Sequence, residues 1–245
     1  MAGSPTREAF LGDMNQHGMG PTPEPQGFWD LLADTEQSVL SGLGRMSVFP
    51  SGAALCVEGD PATHVFILVA GWVKILAVTS EGQQMVLALR GHGDIVGEVA
   101  GEATGYRTAT MQATGTVRAL IVGHEKFSSF LDSYLGASHA YRRVLTQRWI
   151  DTAAMLRSRS ATTGAQRLAF LLLDLAGRHG SETAGGVYVA MPLSQEDLAS
   201  LAGTSRATVT RALANWRQRG FIRTGPRRIT IMNPGALRQI AGQHP

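Results

Sequence analysis

The feature that most limits the fold is a change of hydrophobic rhythm near His124. Before it, from Arg45 onward, short β-rich runs alternate with Gly or Pro breaks: "MSVF", "AALCVEGD", "HVFILVAG", "WVKILAV", "QMVLALRG", "TATMQA", "VRALIVG". Such spacing belongs to an all-β barrel or sandwich, and about eight strands are expected over residues 45–122. Gly59-Asp60 marks one turn and Gly71 joins two strands. After it the period becomes helical. "HEKFSSFLDSYLG" reads as a short helix ending near Gly136. In "SHAYRRVLTQRWIDTAAMLRSRSA", Tyr141, Leu145, Trp149, Thr152 and Leu156 fall on one stripe of a long helix. That stripe packs either on the chain's own roll or on its copy in a second chain. "TTGAQRLAFLLLDLAGRHG" is a further helix, ending at Gly177 or Gly180.

Upstream of the strands, Phe28, Leu31, Leu32, Val39 and Leu40 sit at helical spacing. Residues 1–27, with five Gly and four Pro, read as a mobile tail. No apolar run approaches the ~20 residues that span a bilayer, and no secretory signal is visible. Cys56 is the single cysteine, which leaves no internal disulfide and no cysteine-based zinc or iron–sulfur site. A reducing cytoplasm is the expected setting. The net charge of +3 divides unevenly: residues 1–161 carry −3 and residues 162–245 carry +6. A basic C-terminal third suggests a module that binds a polyanion. Arg outnumbers Lys heavily, Lys74 and Lys126 being the only lysines, a bias that a GC-rich genome also produces.

Within that basic third stands "LSQEDLASLAGTSRATVTRALANWRQRGFIRTGPRRITI". Ser194 can cap a helix, with Asp197 as its reciprocal partner. Leu198 and Leu201 face inward, and Gly203 permits a sharp reversal. A second helix starts at Ser205, buries Val209, Leu213 and Trp216, and projects Arg206, Thr208, Thr210 and Arg211 from its other side. This is a helix-turn-helix, whose second helix enters the major groove. Arg can grip guanine O6 and N7, and Thr can meet base edges or a thymine methyl. "FIRT-GPRR-ITI" adds two short strands about a basic turn, a wing that would bring Arg227 and Arg228 near phosphates. The competing reading is a helical interaction domain with a solvated basic face.

One stretch remains, "GEVAGEATGYRTATMQA" from Gly97 to Ala113. Its carboxylate and guanidinium, nine positions apart, form either an accidental surface ion pair or a pocket for a ligand bearing hydroxyls and a phosphate. Together with "TSRATVTR", this string makes the chain resemble the CRP/FNR family of bacterial transcription regulators over about residues 28–234.

The resemblance implies an α+β chain. It would comprise a cyclic-nucleotide-binding, jelly-roll-like β-roll (28–136), a central dimerisation helix and hinge (137–161), and a winged helix-turn-helix (162–245), behind the tail (1–27). It further implies that Glu98 accepts from a ribose 2′-hydroxyl and that Arg107 pairs with a cyclic phosphate. Gly97 would allow close approach, backbone N–H groups near Val99 and Ala100 would donate to phosphate oxygens, and Thr108 would offer a hydroxyl. Ungapped placement of the central helix puts Thr152 at the purine edge, the alternative being a Thr bonded back to its own helix. The implied ligand is cAMP ahead of cGMP, with no other cofactor. The implied partners are double-stranded DNA with a near-palindromic site, a second copy of the chain and RNA polymerase. Ser194, with Ser205, Arg206, Thr208, Thr210, Arg211, Arg227 and Arg228, makes up the expected DNA-contacting set.

There are departures from the family pattern. The redox branch's N-terminal cysteine cluster is missing, and His64, His92 and Cys56 show no haem-ligand spacing. Ala207 stands where many relatives carry Glu, so the usual half-site does not transfer whole. No phosphate-cradling "GxxxxGK" loop, "HExxH" pair or nucleophile–base set occurs, which argues against an enzyme. The rival within the fold is a regulator that answers to another effector or to none. A scaffold that uses the roll without reading DNA is the third reading, and the basic winged helix argues against it.

Overall fold

The computed structural model describes residues 27–79, 81–82, 84–99, 105–161, 163–190 and 192–242. The expected tail lies outside them apart from Gly27, as does Ala100.

The β-rich stretch forms eight strands among the described residues: β1 Arg45–Phe49, β2 Ala54–Cys56, β3 His64–Ala70, β4 Val73–Val78, β5 Gln84–Arg90, β6 Ile95–Val96, β7 Thr110–Ala113 and β8 Val117–Gly123. They make two four-stranded sheets, ordered β1-β8-β3-β6 and β2-β7-β4-β5, with antiparallel pairing throughout. Phe66, Leu68 and Val96 of one sheet pack on Leu55, Val73, Met111 and Ala113 of the other. Val65 and Ile67 alternate with them and point the other way, into a core shared with the helices. That alternation is why β3 is buried on both faces.

The upstream helix is shorter than its spacing suggests. A 3₁₀ turn at Trp29–Leu31 is followed by extended backbone, and α1 begins only at Asp34, running to Leu43. The break has a reason. Glu36 turns inward, accepting from Ala33 N at 2.9 Å through one carboxylate oxygen and from Ala137 N at 3.0 Å through the other. One buried carboxylate therefore caps α1 and fastens it to the long helix. Phe28, Phe127 and Tyr141 meet edge to face, with centroids 5.6–6.2 Å apart, in the same core.

Helix α2 covers His124–Ser133 and α3 covers Leu135–Ala161, about 40 Å of helix at 1.5 Å per residue. The stripe on α3 is divided. Tyr141 is buried against the roll and Leu145 is half-buried, but Trp149 is 73% and Leu156 60% exposed. The stripe thus packs on the roll over its first half and is exposed at Trp149 and Leu156.

Helix α4, Gly164–His179, opens with a capping box in which Thr163 and Gln166 satisfy each other's backbone N–H groups. It runs through Gly177, and a hairpin not foreseen in the sequence follows it: β9 Gly180–Thr183 and β10 Gly186–Ala190. Helices α5 (Gln195–Leu201) and α6 (Arg206–Gln218) come next, then β11 (Ile222–Gly225), β12 (Arg228–Ile231) and α7 (Pro234–Ala241). The wing strands β11 and β12 join the unforeseen hairpin in one sheet, ordered β11-β12-β10-β9. Leu168, Leu172, Leu198, Val209, Leu213, Trp216 and Ile231 fill the core beneath. No helix of the described residues is long and apolar enough to cross a membrane.

Candidate functional site

The roll brings Gly97, Glu98 and Arg107 together through its loops. The loop bearing Arg107 is pinned to the turn after β2: Arg107 N donates to Asp60 O at 2.8 Å, and Gly59 N donates to Arg107 O at 2.9 Å. The side chain turns inward and is 2% exposed. Nη1 donates to Gly97 O at 3.0 Å and Nη2 to His64 O at 2.6 Å, while the guanidinium carbon sits 5.5 Å from the Phe66 ring centre. Nε is buried and has no partner among the described residues. Gly97 has φ 85°, and a Cβ there would collide with Arg107 Nη1, so both conformation and close packing demand glycine. A buried cation with an unspent donor suits an anionic ligand.

Glu98, next in the chain after Gly97, is buried too but is not free. Arg148 of α3 donates to its Oε1 at 2.6 Å, and to Asp94 Oδ1 at 3.2 Å and Ile95 O at 2.8 Å. Arg148 is the residue that the sequence reading missed. The signal was present, since Arg148 lies one turn before Thr152, so any placement of Thr152 near Glu98 carries Arg148 there too. Thr152 itself is exposed, and its hydroxyl donates to Arg148 O at 2.8 Å, the back-bonded arrangement. Val99 and Thr108 are exposed.

Both signs of charge meet at this junction, Arg90 and Arg148 with Asp94 and Glu98. Arg90, with Arg148 as neighbour, has its pKa pushed down to about 10 by burial first and by that like charge second, and it stays protonated. His64 is lowered by burial and by Arg107. A separate open groove of about 420 Å³ lies between α1 and α2, lined by Val39, Leu43, Phe130 and Tyr134, away from Arg107.

In the second constellation, Ser194 caps α5. Its Oγ accepts from Asp197 N at 3.0 Å, and Asp197 Oδ2 accepts from Ser194 N at 2.8 Å. Gly203, with φ 57°, makes the turn, and Arg167 of α4 braces it by donating to Ala202 O and Gly203 O at 2.9 and 2.7 Å. Ser205 caps α6, accepting from Thr208 N at 3.2 Å. Arg206, Thr210 and Arg211 are exposed and Thr208 is half-buried. The Thr210 hydroxyl donates to Gln195 Oε1 at 2.6 Å, which locks the two helices together through a residue absent from the expected set. In the wing, Pro226-Arg227 is a two-residue turn with Arg227 at φ 53°, a conformation that favours glycine. An arginine kept at that strained position, with Arg228 beside it, leaves two cations exposed at the tip.

A roll with a buried cation, a long helix with exposed Trp149 and Leu156, and a winged helix-turn-helix together define a DNA-binding regulator. Residues 46–134 match the cyclic nucleotide-binding domain family, and residues 166–240 match the Crp-like helix-turn-helix domain family. The chain is 32% identical over 193 residues to a CRP-like cAMP-activated global transcriptional regulator of Mycobacterium tuberculosis, covering 79% of this chain and 86% of that one. It belongs to the CRP/FNR family of transcription regulators. The fold is shared with FixK2 from Bradyrhizobium japonicum, at TM-score 0.71 and 20% identity over 80% of this chain and 96% of that one. It is also shared with CLP of Xanthomonas campestris, described as a c-di-GMP responsive global regulator, at TM-score 0.66 and 19% identity over 81% and 99%.

Proposed function

We propose that the chain is a homodimeric regulator in which a cyclic nucleotide, cAMP ahead of cGMP, binds at Arg107 and controls the DNA-reading helices. The observation that carries the reading is the Arg107 guanidinium, buried against the carbonyl of Gly97 with Nε unspent. The cyclic phosphate would pair with Arg107 and the ribose hydroxyl with Glu98, while Val99, Ala100, Thr108 and Thr152 rim the ligand. Resemblance to the M. tuberculosis regulator, whose description is cAMP-activated, supports the choice of nucleotide. Ser194, Ser205, Arg206, Thr208, Thr210 and Arg211, with the wing arginines Arg227 and Arg228, form the proposed DNA-contacting set.

The exposed seam of Trp149 and Leu156 supports pairing of α3 with its copy, which would set two recognition helices about one DNA turn apart. On this reading the roll occupies 28–136, the dimerisation helix 137–161 and the DNA-binding unit 162–245. The protein works in the cytoplasm with RNA polymerase as its further partner.

A second reading keeps the fold and DNA binding but changes the effector or removes it. The terminal nitrogens of Arg107 already serve two carbonyls, and Glu98 already holds Arg148. CLP's description as c-di-GMP responsive shows another ligand on this fold. Calorimetry of cAMP and cGMP against wild type and Arg107→Ala separates the two. Saturable binding lost by about 100-fold or more in the variant supports the first reading. No heat with either nucleotide, and DNA affinity unchanged by both, supports the second.

A further inference from the structure

The first helix of the helix-turn-helix is docked on the roll. Strand β5 is the edge of its sheet, and α5 lies against it. Lys74 Nζ on β4 stands 3.0 Å from Asp197 Oδ1, with the two side chains only 19% and 13% exposed. The Ser200 hydroxyl accepts from Val86 N at 2.8 Å and donates to Val86 O at 3.3 Å, so one side chain completes both open main-chain groups of an edge residue. Leu76 and Val86 pack with Leu201 in a buried cluster between the two units.

Asp197, Ser200 and Leu201 stand at i, i+3 and i+4, so one face of α5 makes all these contacts. Ser194 begins the same face, three residues before Asp197 and bonded to it. In a helix-turn-helix the first helix crosses the DNA backbone. Ser194 itself stays exposed at the N-cap, and the face of α5 that follows it is the one turned to the β4–β5 hairpin, where a duplex seated on Ser194 would also lie. A duplex and the hairpin compete for it.

We propose that the β4–β5 hairpin is an autoinhibitory latch, holding α5 through Lys74–Asp197 and Val86–Ser200, and that it opens when the protein engages DNA. The inference rests on the DNA-binding role and on Ser194 facing the duplex. It does not depend on which effector fills the roll.

The test uses the full chain, without any nucleotide, labelled with 5-fluorotryptophan. Trp72 lies just before β4 and meets the ring of His179 on α4 edge to face at 4.5 Å, so its fluorine signal reports docking. Trp29 packs in the separate core around Phe28 and reports whether the roll is intact. Lys74→Glu sets two carboxylates against each other, and Ser200→Ala strips the edge bonds. Where Lys74→Glu also moves Trp29, Lys74→Gln replaces it.

In the latched protein these changes move the Trp72 signal toward its solvent-exposed position and leave Trp29 in place. They also raise nucleotide-free affinity, by about fivefold or more, for a duplex selected from a random pool by the wild type. An unmoved Trp72 signal in both variants overturns the latch. A moved signal with affinity unchanged or lowered overturns its inhibitory sense. Because no nucleotide is present, either failure is separate from failure of the cAMP reading.

Discussion

Arg148→Met is the sharpest test of how the roll and the central helix are joined. The wild-type side chain makes three bonds across that junction, to Glu98, Asp94 and the carbonyl of Ile95. Met keeps an unbranched apolar stem of similar reach and removes the charge. The Glu98 side chain, 6% exposed, then has lost its cation. Breaking a buried pair from one side costs about 3–5 kcal/mol, because the remaining charge stays desolvated. Arg148 is 17% exposed, so water relieves part of this, and about 3 kcal/mol is expected. That is roughly a 150-fold loss in the folding constant and a Tm fall of about 6–12 °C for a chain of this size.

The assay is urea unfolding of wild type, Arg148→Met, Glu98→Gln and the double variant, compared at constant m. Neutralising Glu98 removes the stranded charge, so the double variant should recover at least about 1.5 kcal/mol relative to the sum of the single changes. If Arg148→Met costs under about 0.5 kcal/mol, or the two changes add within that margin, the bridge does not hold the junction and the reasoning fails.

Other perturbations address other parts of the molecule. On the proposed pairing of α3 with its copy, Trp149→Glu should shift the protein toward monomer in sedimentation, raising the dimer Kd by about 100-fold, because a central aromatic anchor is worth about 2–4 kcal/mol. Arg211→Ala should relax selection at a single base pair at a cost of about 1–3 kcal/mol, while Arg228→Ala should weaken all duplexes alike and lower the salt slope by about one. His179 is pushed down to about 4, chiefly by burial and further by Arg178 and Arg90 against the opposing pull of Asp94. Its folded form resists protonation, so its stabilising contribution is whole above the ordinary histidine value near 6.5 and is lost as pH falls from there to about 4. At most about 3 kcal/mol should go in that window, measured by denaturation, and His179→Phe should flatten the profile.

Much of the site was legible because its chemistry is local. Gly97, Glu98 and Arg107 fall within a dozen residues, and the helix-turn-helix occupies fewer than forty, so short strings carried the family resemblance that singles them out, while spacing alone left the Glu98–Arg107 pair open. The hairpin at 180–190 was hidden because "HGSETAGGVYVA" has too few alternating apolar residues to read as a pair. Its strands pair with each other, and β10 also joins the wing strand β12 in one sheet. The stripe on α3 was seen whole, yet periodicity cannot say which neighbour covers which half.

Local sequence determined the elements and their charge: the glycine-punctuated strands, the capped helices, the basic third and the inward-facing residues of each. Tertiary structure alone decided the partners. It gave Glu98 to Arg148 fifty positions away, Asp197 to Lys74 across more than a hundred, and the two carbonyls of the roll to Arg107. The reason is physical. Helix and strand periods follow from bonds along a few residues, whereas a desolvated charge is satisfied by whichever opposite group the packed chain brings within reach, and no spacing along the chain records that meeting.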